Sequence, residues 1–530
     1  MSNSQALVTV KTESIKHRYA ITLFTQFVQL AASIATAGVV PRALGPAAFG
    51  NYNFLLTTAA TIRSFLDPST SQAFFTFSSQ EKRSGSLTKL YVIILMVQLI
   101  IIFSLVGALA WFGDTHLIWP GQSVDQIIWV TIFEWSLFVT ASLRQLGDSK
   151  GLTVRSQIII LATAIFNVVG LLGLNSINSL NFYTYLWLNL FTSVLIGAGL
   201  VYWLLIINKD LLWTGSLRGQ VRGWISRWWR FAAPLVLLEY YTPLVAYVST
   251  YLLQRWYGSV EQGHFALASK WSAMVLVFTS SALMIFWREI ANAMANGERE
   301  RAANTYLRFT RLLFFLALVL CTWLSFSSRL LVNILVGDQY TLAIPILAIM
   351  AYYPLQQTYG QINTAALKGA EKTALVRNLA IFFSVPDLLL SYFLLASRDA
   401  PIPGLNLGAI GVAIRMVIYG LISVQSYEWM SHRTFGLSYL NTFLKKLETT
   451  VIVIGCGIIT IWGGTTLLVG RNLLMIIVLG ICSVAYFSLI GISLLLKPEI
   501  AGLTKIELLE NINNVRISVS RFFVAKRVEP

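Results

Sequence analysis

Three basic side chains, Arg63, Lys270 and Arg415, lie inside long apolar segments of this 530-residue chain. A cation at membrane depth is costly unless it faces water, a partner or a ligand, so these residues are the first candidates for chemistry. Arginine offers a fork of N–H donors that fits two phosphate oxygens, whereas lysine offers a compact charge. The three residues therefore predict an anion-binding site. Snorkelling toward the membrane surface is the alternative for Lys270 and Arg415.

Four acids share the apolar segments: Asp67, Glu134, Glu239 and Asp387. They can pair with the three cations, and Arg63 and Asp67 stand four residues apart, which is the spacing of a helical ion pair. A buried acid beside a proline can instead titrate and couple the protein to protons. Ion coupling and a counter-ion role both remain open for these acids.

Amide side chains form a second polar set. Gln26 and Gln29 lie in the first apolar segment, and Gln357 and Gln361 lie in the tenth. Amides in a membrane helix hydrogen-bond to neighbouring helices or to polar ligand groups such as sugar hydroxyls. We predict that these four glutamines line a polar cavity.

The sequence carries no motif for nucleotide binding, metal catalysis or an activated nucleophile. Its four histidines are dispersed, and its three cysteines lie in apolar segments without the spacing of metal ligands. We therefore expect no metal site, no cofactor and no enzymatic activity.

The elements that must position these residues are membrane helices, because 56% of the residues are hydrophobic and only 12% are charged. Each apolar segment is near or above the ~20 residues that cross a bilayer core. The composition predicts an all-α, polytopic membrane protein of about fourteen transmembrane helices. The predicted helices are 18–40, 47–77, 90–112, 125–143, 156–174, 182–207, 231–254, 264–287, 309–328, 341–366, 374–396, 407–429, 448–470 and 472–496.

Basic residues are concentrated at every second connection. With the N-terminus inside, the cytoplasmic segments hold 31 of the 39 lysines and arginines, and the opposite loops hold 5. Positive charge stays on the cytoplasmic side, so both termini are predicted to be cytoplasmic. The net charge of +16 indicates contacts with anionic membrane lipids rather than with nucleic acid.

Two short segments indicate an internal repeat. Residues 42–52 (RALGPAAFGNY) and 255–265 (RWYGSVEQGHF) share an arginine and two glycines at a constant offset of 213. Both segments connect the first two helices of a half, so the halves are predicted to be parallel six-helix lobes with two appended helices. The predicted division is a lobe at 1–207, a cytoplasmic linker at 208–230, a lobe at 231–430, the appended helices at 447–496 and a tail at 498–530.

The linker and the tail both read as amphipathic. Trp224 and Trp228 lie on one face of the linker among several arginines, which indicates a helix at the membrane interface, with nucleic-acid stacking as the weaker alternative. The tail repeats apolar residues at helical spacing from Leu508 onward and is basic, so it predicts a helix on the inner membrane surface.

Four motifs carry a family resemblance: RALGPAAFGNY, LVGDQYTLAIPIL (335–347), LKGAEKTALVRN (367–378) and GLNLGAIGVAI (404–414). In this order and topology, the chain resembles the Wzx-like polysaccharide flippases of the multidrug/oligosaccharidyl-lipid/polysaccharide exporter (MOP) superfamily. The resemblance implies two lobes around a central cavity of alternating access, lined by cations that Arg63, Lys270 and Arg415 match in type. It implies an oligosaccharide on an undecaprenyl-pyrophosphate carrier as substrate, a bacterial inner-membrane location, and polysaccharide polymerase or export machinery as partners.

Two other functions compete with a flippase. A cation-coupled multidrug exporter of the same superfamily typically has twelve helices and an acidic cavity. A membrane-embedded glycosyltransferase or polymerase usually carries a large external loop, whereas the predicted external loops here are short. The three cations and the two appended helices favour the flippase.

Overall fold

The computed structural model describes residues 15–67, 69–80, 85–150, 152–207, 219–233, 236–468 and 474–510. Regular structure in these ranges is helical throughout, and they contain no strand, so the predicted all-α class is confirmed. Ten helical segments of the described chain are long and apolar enough to cross a membrane, and the protein is a multi-pass membrane protein. Within the described residues each predicted window overlaps a helix, and the windows 18–40 and 47–77 share the helix Ile15–Leu66 while 231–254 and 264–287 share the helix Val236–Ala273.

The chain divides into two compact units, residues 1–263 and 264–530. The predicted lobe boundaries at 207 and 231 stay a prediction. The helices of the first unit are α1 (Ile15–Leu66), α2 (Thr70–Gln80), α3 (Gly85–Phe112), α4 (Val124–Ser149), α5 (Thr153–Ser176), α6 (Phe182–Val201), α7 (Val221–Ala232) and residues 236–263 of α8 (Val236–Ala273).

The second unit begins within α8 and is built from ten further helices. These are α9 (Leu276–Ala295), α10 (Arg299–Leu335), α11 (Ala343–Met350), α12 (Tyr353–Gly369), α13 (Thr373–Leu395), α14 (Gly408–Ile414), α15 (Gly420–Phe435), α16 (Tyr439–Gly457), α17 (Gly463–Leu468) and α18 (Met475–Leu496). A π-helical turn, Arg415–Tyr419, joins α14 to α15 within one membrane-spanning segment.

The long helices α1 and α8 each bend at one glycine. Gly45 has φ 74° and ψ 166°, and Gly258 has φ 77° and ψ −171°. Only glycine adopts this region without a steric penalty, so both bends depend on the missing side chain. The two glycines are 213 residues apart, and their matching backbone is what the repeat in the sequence predicts.

The two repeated segments also contact each other within the first unit. A Cβ at Gly50 would collide with the Ser259 carbonyl oxygen, and a Cβ at Gly263 would collide with the Pro46 carbonyl oxygen. Pro46 and Ser259 are themselves equivalent at the same offset of 213. The contact is therefore reciprocal, with the same surface used from each side, as in an isologous interface.

The linker helix α7 packs onto the first unit through the face predicted from its tryptophans. Trp228 is buried and joins an apolar cluster, with its ring centroid 6.3 Å from that of Tyr91. The Arg227 guanidinium lies 4.3 Å from the centre of the Phe77 ring. The tryptophan face is thus a packing face of the protein. Residues 208–218 of the predicted linker lie outside the described residues.

The start of the tail is held against the second unit. Arg308 of α10 forms a 2.9 Å ion pair with Glu507, and Leu508 is buried. The backbone N–H of Thr504 donates to the Glu507 carboxylate, and the hydrogen bonds with Thr504 lower the pKa of Glu507. The predicted amphipathic stretch beyond residue 510 lies outside the described residues.

Candidate functional site

Asp67 caps a helix and is not the ion-pair partner of Arg63. Helix α1 ends at Leu66, just before Pro68, which itself lies outside the described residues. The Asp67 carboxylate then accepts the backbone N–H of Ser71 at 3.0 Å and contacts the hydroxyls of Thr70 and Ser71. This is how an acid satisfies the free N–H groups at a helix start. The Arg63–Asp67 ion pair, one of the alternatives that the i, i+4 spacing left open, does not form, because the helix ends between the two residues.

Arg63 pairs instead with Glu134 of α4, at 2.9 Å from Nε to Oε1. The guanidinium also lies 4.6 Å from the centre of the Phe138 ring, which adds a cation–π contact. The Arg63 side chain is 24% exposed and that of Glu134 is 11% exposed. Glu134 therefore fixes the guanidinium by one edge.

The other edge of the Arg63 fork is available. Among the described residues, neither terminal nitrogen of Arg63 has a hydrogen-bond partner. Two parallel N–H donors on a planar group match two oxygens of a phosphate or carboxylate. The local arrangement can hold an anion while Glu134 keeps the arginine in place.

The remaining acid of the first unit lies on α8. Glu239 accepts a hydrogen bond from the Gln72 side chain of α2 at 3.2 Å, and the neighbouring Tyr240 stacks on Phe65 with centroids 5.7 Å apart. The first unit thus holds Arg63 and three of the four predicted acids. On the first arm of α1, Gln26 is exposed and Gln29 is half-buried.

Arg415 is buried in the second unit and does not snorkel. It is 7% exposed, and its Nη1 lies 2.7 Å from the Asp387 carboxylate of α13. Its Nε is buried without a hydrogen-bond partner among the described residues. The residue opens the π-helical turn, and such turns recur at functional sites. Asp387, at 20% side-chain exposure, is the more accessible member of the pair.

Lys270 lies in the last turn of α8, within the second unit, and its side chain is exposed. Of the three predicted cations, Arg63 and Arg415 each form an ion pair with a carboxylate. Arg63 belongs to the first unit, and Lys270 and Arg415 belong to the second.

A buried charged cluster in the second unit was missed by sequence reasoning. Glu428 of α15 is 0% exposed and contacts the ammonium of Lys446 of α16, which is 7% exposed. His432 lies one turn from Glu428, and Tyr306 donates to Asn363 at 2.7 Å beside it. Charge counting placed Lys446 among the topology-determining residues of a cytoplasmic loop. The structure adds that Lys446 is buried in an ion pair, which the charge count does not show.

The signal for this burial was present in the spacing of α16. Lys446 falls on one helical face with Thr442, Thr449 and Val453, and all four are buried. The face is mostly uncharged, so it reads as a packing stripe with one lysine in it. A count of charges by loop cannot detect such a residue.

Two of the predicted cavity amides line an observed pocket. Gln357 and Gln361 of α12, together with Trp287 of α9, border a cavity of about 380 Å³ within the second unit. This volume lies at the low end of the range of small-ligand pockets, roughly 300–1,000 Å³.

The helices and ion pairs together define a multi-pass α-helical membrane protein with cations held at membrane depth. Residues 19–287 match the family of polysaccharide biosynthesis proteins. The chain belongs to that family. No curated protein is a significant sequence match to it.

Solved structures share the fold. The lipid II flippase MurJ in its inward closed conformation is 14% identical, with a TM-score of 0.64, and the match covers 90% of this chain and 99% of that chain. An inward-facing multidrug resistance MATE transporter of the MOP superfamily is 15% identical, with a TM-score of 0.58 and coverage of 80% and 98%.

A third structure is a MOP superfamily transporter from Pyrococcus furiosus, described as having a binding pocket of reversed polarity. It is 14% identical, with a TM-score of 0.52 and coverage of 80% and 97%. At these identities the likeness shows the fold. Together with the family match, it confirms the resemblance drawn from the motifs at the level of family and fold.

Proposed function

We propose that the protein flips an undecaprenyl-pyrophosphate-linked oligosaccharide from the cytoplasmic to the periplasmic leaflet by alternating access. The product would serve surface polysaccharide synthesis, with polymerase or export machinery acting next. The protein would reside in the bacterial inner membrane with both termini in the cytoplasm. Family membership and the shared fold of the lipid II flippase support this function.

The observation that carries the proposal is the half-engaged Arg63. A pyrophosphate brings about two negative charges that lose water on entering the membrane, and a desolvated phosphate without donors faces a large penalty. Arg63 offers two terminal nitrogens on its free edge, while Glu134 holds Nε. Before substrate arrives, Glu134 also offsets the cost of the buried guanidinium.

Lys270 and Arg415 are the further substrate-binding residues of the proposal. Lys270 supplies a second positive charge, in the last turn of α8. Arg415 keeps a buried Nε–H without an acceptor in the described chain, next to the more exposed Asp387. In this scheme Glu134 and Asp387 act as counter-ions that release part of their hold on the arginines when phosphate binds.

A cation-coupled multidrug exporter is the second candidate function. The MATE transporter shares the fold. Three of the predicted membrane acids, Asp67, Glu134 and Glu239, belong to the same unit as Arg63. An exporter of cationic drugs would depend on these acids and not on the arginine. The two functions therefore differ in which charge of the Arg63–Glu134 pair transport requires.

The test replaces each charge of that pair in cells that depend on the protein for surface polysaccharide. Arg63→Ala should abolish export with the protein still inserted, and Arg63→Lys should restore only part, since the bidentate geometry is lost. Glu134→Gln should retain part of the activity. Arg144→Ala, a matched change at an exposed arginine, should leave export unchanged.

The double variant Arg63→Ala with Glu134→Gln separates ligand binding from ion pairing. It should stay inactive, because no donor fork remains for the pyrophosphate. Full recovery of export in the double variant would reduce Arg63 to the counter-ion of Glu134. Resistance to cationic drugs in the same strains that survives Arg63→Ala but not Glu134→Gln would favour the drug exporter.

A further inference from the structure

The pocket between α9 and α12 has a polar wall that does not take part in packing. Gln357, Gln361, Thr364 and Lys368 line it and follow one another at i, i+4, i+7 and i+11, so they form one stripe along α12. None of these four side chains has a hydrogen bond to another described residue.

Two other polar residues of α12, Thr358 and Asn363, lie outside the pocket wall and are hydrogen-bonded within the protein. Thr358 shares a 2.8 Å hydrogen bond with Thr279 of α9, and Asn363 accepts from Tyr306 of α10 at 2.7 Å. The helix therefore separates its polar groups into a structural set and an unsatisfied set. Helix packing alone accounts only for the first set.

Gln356 also borders the pocket, although its amide oxygen is not exposed to it. Its side chain packs against Gly420 of α15 so closely that a Cβ there would collide with it. Its Oε1 is buried and has no donor among the described residues. A buried acceptor without a donor costs free energy until a ligand or water supplies one.

Trp287 of α9 lines the same pocket and is 42% exposed. An indole ring offers a flat apolar surface, and the amides beside it offer both donors and acceptors. A pyranose ring has the complementary chemistry, with apolar C–H faces and a rim of hydroxyls. A lipid chain would leave the amide stripe unsatisfied, and a phosphate would meet one cation, Lys368.

We propose that this pocket binds one sugar ring of the lipid-linked oligosaccharide, with Trp287 stacking on the ring and the α12 stripe hydrogen-bonding to its hydroxyls. The inference rests on the proposed function and assigns sugar recognition to a site that does not contain Arg63. The pocket volume of about 380 Å³ suits one small group rather than a whole oligosaccharide.

The test compares two kinds of lipid on the purified full-length protein in detergent. The probes are bare undecaprenyl diphosphate and the same lipid carrying a single glucose, galactose or N-acetylglucosamine, with dissociation constants measured by native mass spectrometry. Wild type should bind at least one glycosylated lipid more tightly than the bare lipid. Loss of the aromatic contact in Trp287→Ala should weaken that binding by up to about tenfold and leave the bare lipid unchanged.

Further variants separate recognition from structure. The double variant Gln357→Leu with Gln361→Leu should lose the extra affinity for the glycosylated lipid. Trp287→Phe should keep most of that extra affinity. Trp429→Ala, at an exposed tryptophan of α15, should change neither affinity. Equal affinity of wild type for bare and glycosylated lipids would overturn the inference. It would also be overturned if Trp287→Ala weakened the binding of both kinds of lipid equally. If wild type bound neither kind of lipid, the proposed function itself would fail.

Discussion

The buried pair of Glu428 and Lys446 predicts an asymmetric response to substitution. Lys446→Met would leave the Glu428 carboxylate, which is 0% exposed, without its cation. Glu428→Gln would leave the ammonium of Lys446 without a counter-charge at 7% exposure. Removing one partner of a buried pair costs about 3–5 kcal/mol, whereas replacing both by uncharged groups of similar size is often neutral or better.

Two features of the pair change the expected loss of stability. Lys446 lies 4.2 Å from the centre of the Tyr359 ring, so Lys446→Met also loses a cation–π contact of about 0.5–2 kcal/mol. The Oε2 atom of Glu428 is already without a hydrogen-bond partner in the described chain, which adds to the cost of the unpaired carboxylate. We therefore expect Lys446→Met to be the more damaging single change.

The assay is thermal unfolding of the detergent-purified protein, followed by the loss of monomer on size exclusion after heating. Both single variants should lower the midpoint clearly, and the double variant Glu428→Gln with Lys446→Met should recover most of the loss. Lys497→Met, which breaks the exposed ion pair of Lys497 with Glu448, is the matched control and should hardly move the midpoint. A double variant as unstable as the sum of the singles would refute the argument, because the two charges would then act independently.

Two further predictions concern the repeat and the topology. Gly50→Ala should destabilise the protein by about 1–3 kcal/mol in the same thermal assay, because the new methyl meets the Ser259 carbonyl; Gly107→Ala, with open space around it, should not. An impermeant thiol reagent should label Ser123→Cys in intact cells and Gly219→Cys only after permeabilisation, against a low background because all three native cysteines are buried. The reverse labelling pattern would contradict the orientation drawn from the charge asymmetry.

Hydrophobicity located the membrane-spanning segments, because each one needs about 20 apolar residues to cross the bilayer core. The bends lie at Gly45 and Gly258, one glycine of each repeated segment, because a backbone with positive φ favours this residue type. Both features are local in the chain. Packing decides whether a helix ends at such a glycine or continues through it as a bend. The sequence did not show that α1 and α8 continue.

The ion pairs were harder to predict because they join distant residues. Arg63 and Glu134 are 71 positions apart in the sequence. Asp67 is only four positions from Arg63, but α1 ends at Leu66, so the two side chains do not lie on one helical face. Lys446 looked like a loop charge because its neighbours along the chain are polar. Its burial shows in the sequence only through its helical spacing with the buried Thr442, Thr449 and Val453, which a count of charges by loop does not detect.

The reciprocal contact at Gly50 and Gly263 has a consequence for how such a chain could arise. Each side presents the same glycine and the same carbonyl position to the other, so the contact is self-complementary. A shorter protein carrying a single copy of the RALGPAAFGNY segment could make this contact with a second molecule of itself. A fusion of two such copies would have the self-complementary contact of the present chain, and each copy would then be free to acquire different charges.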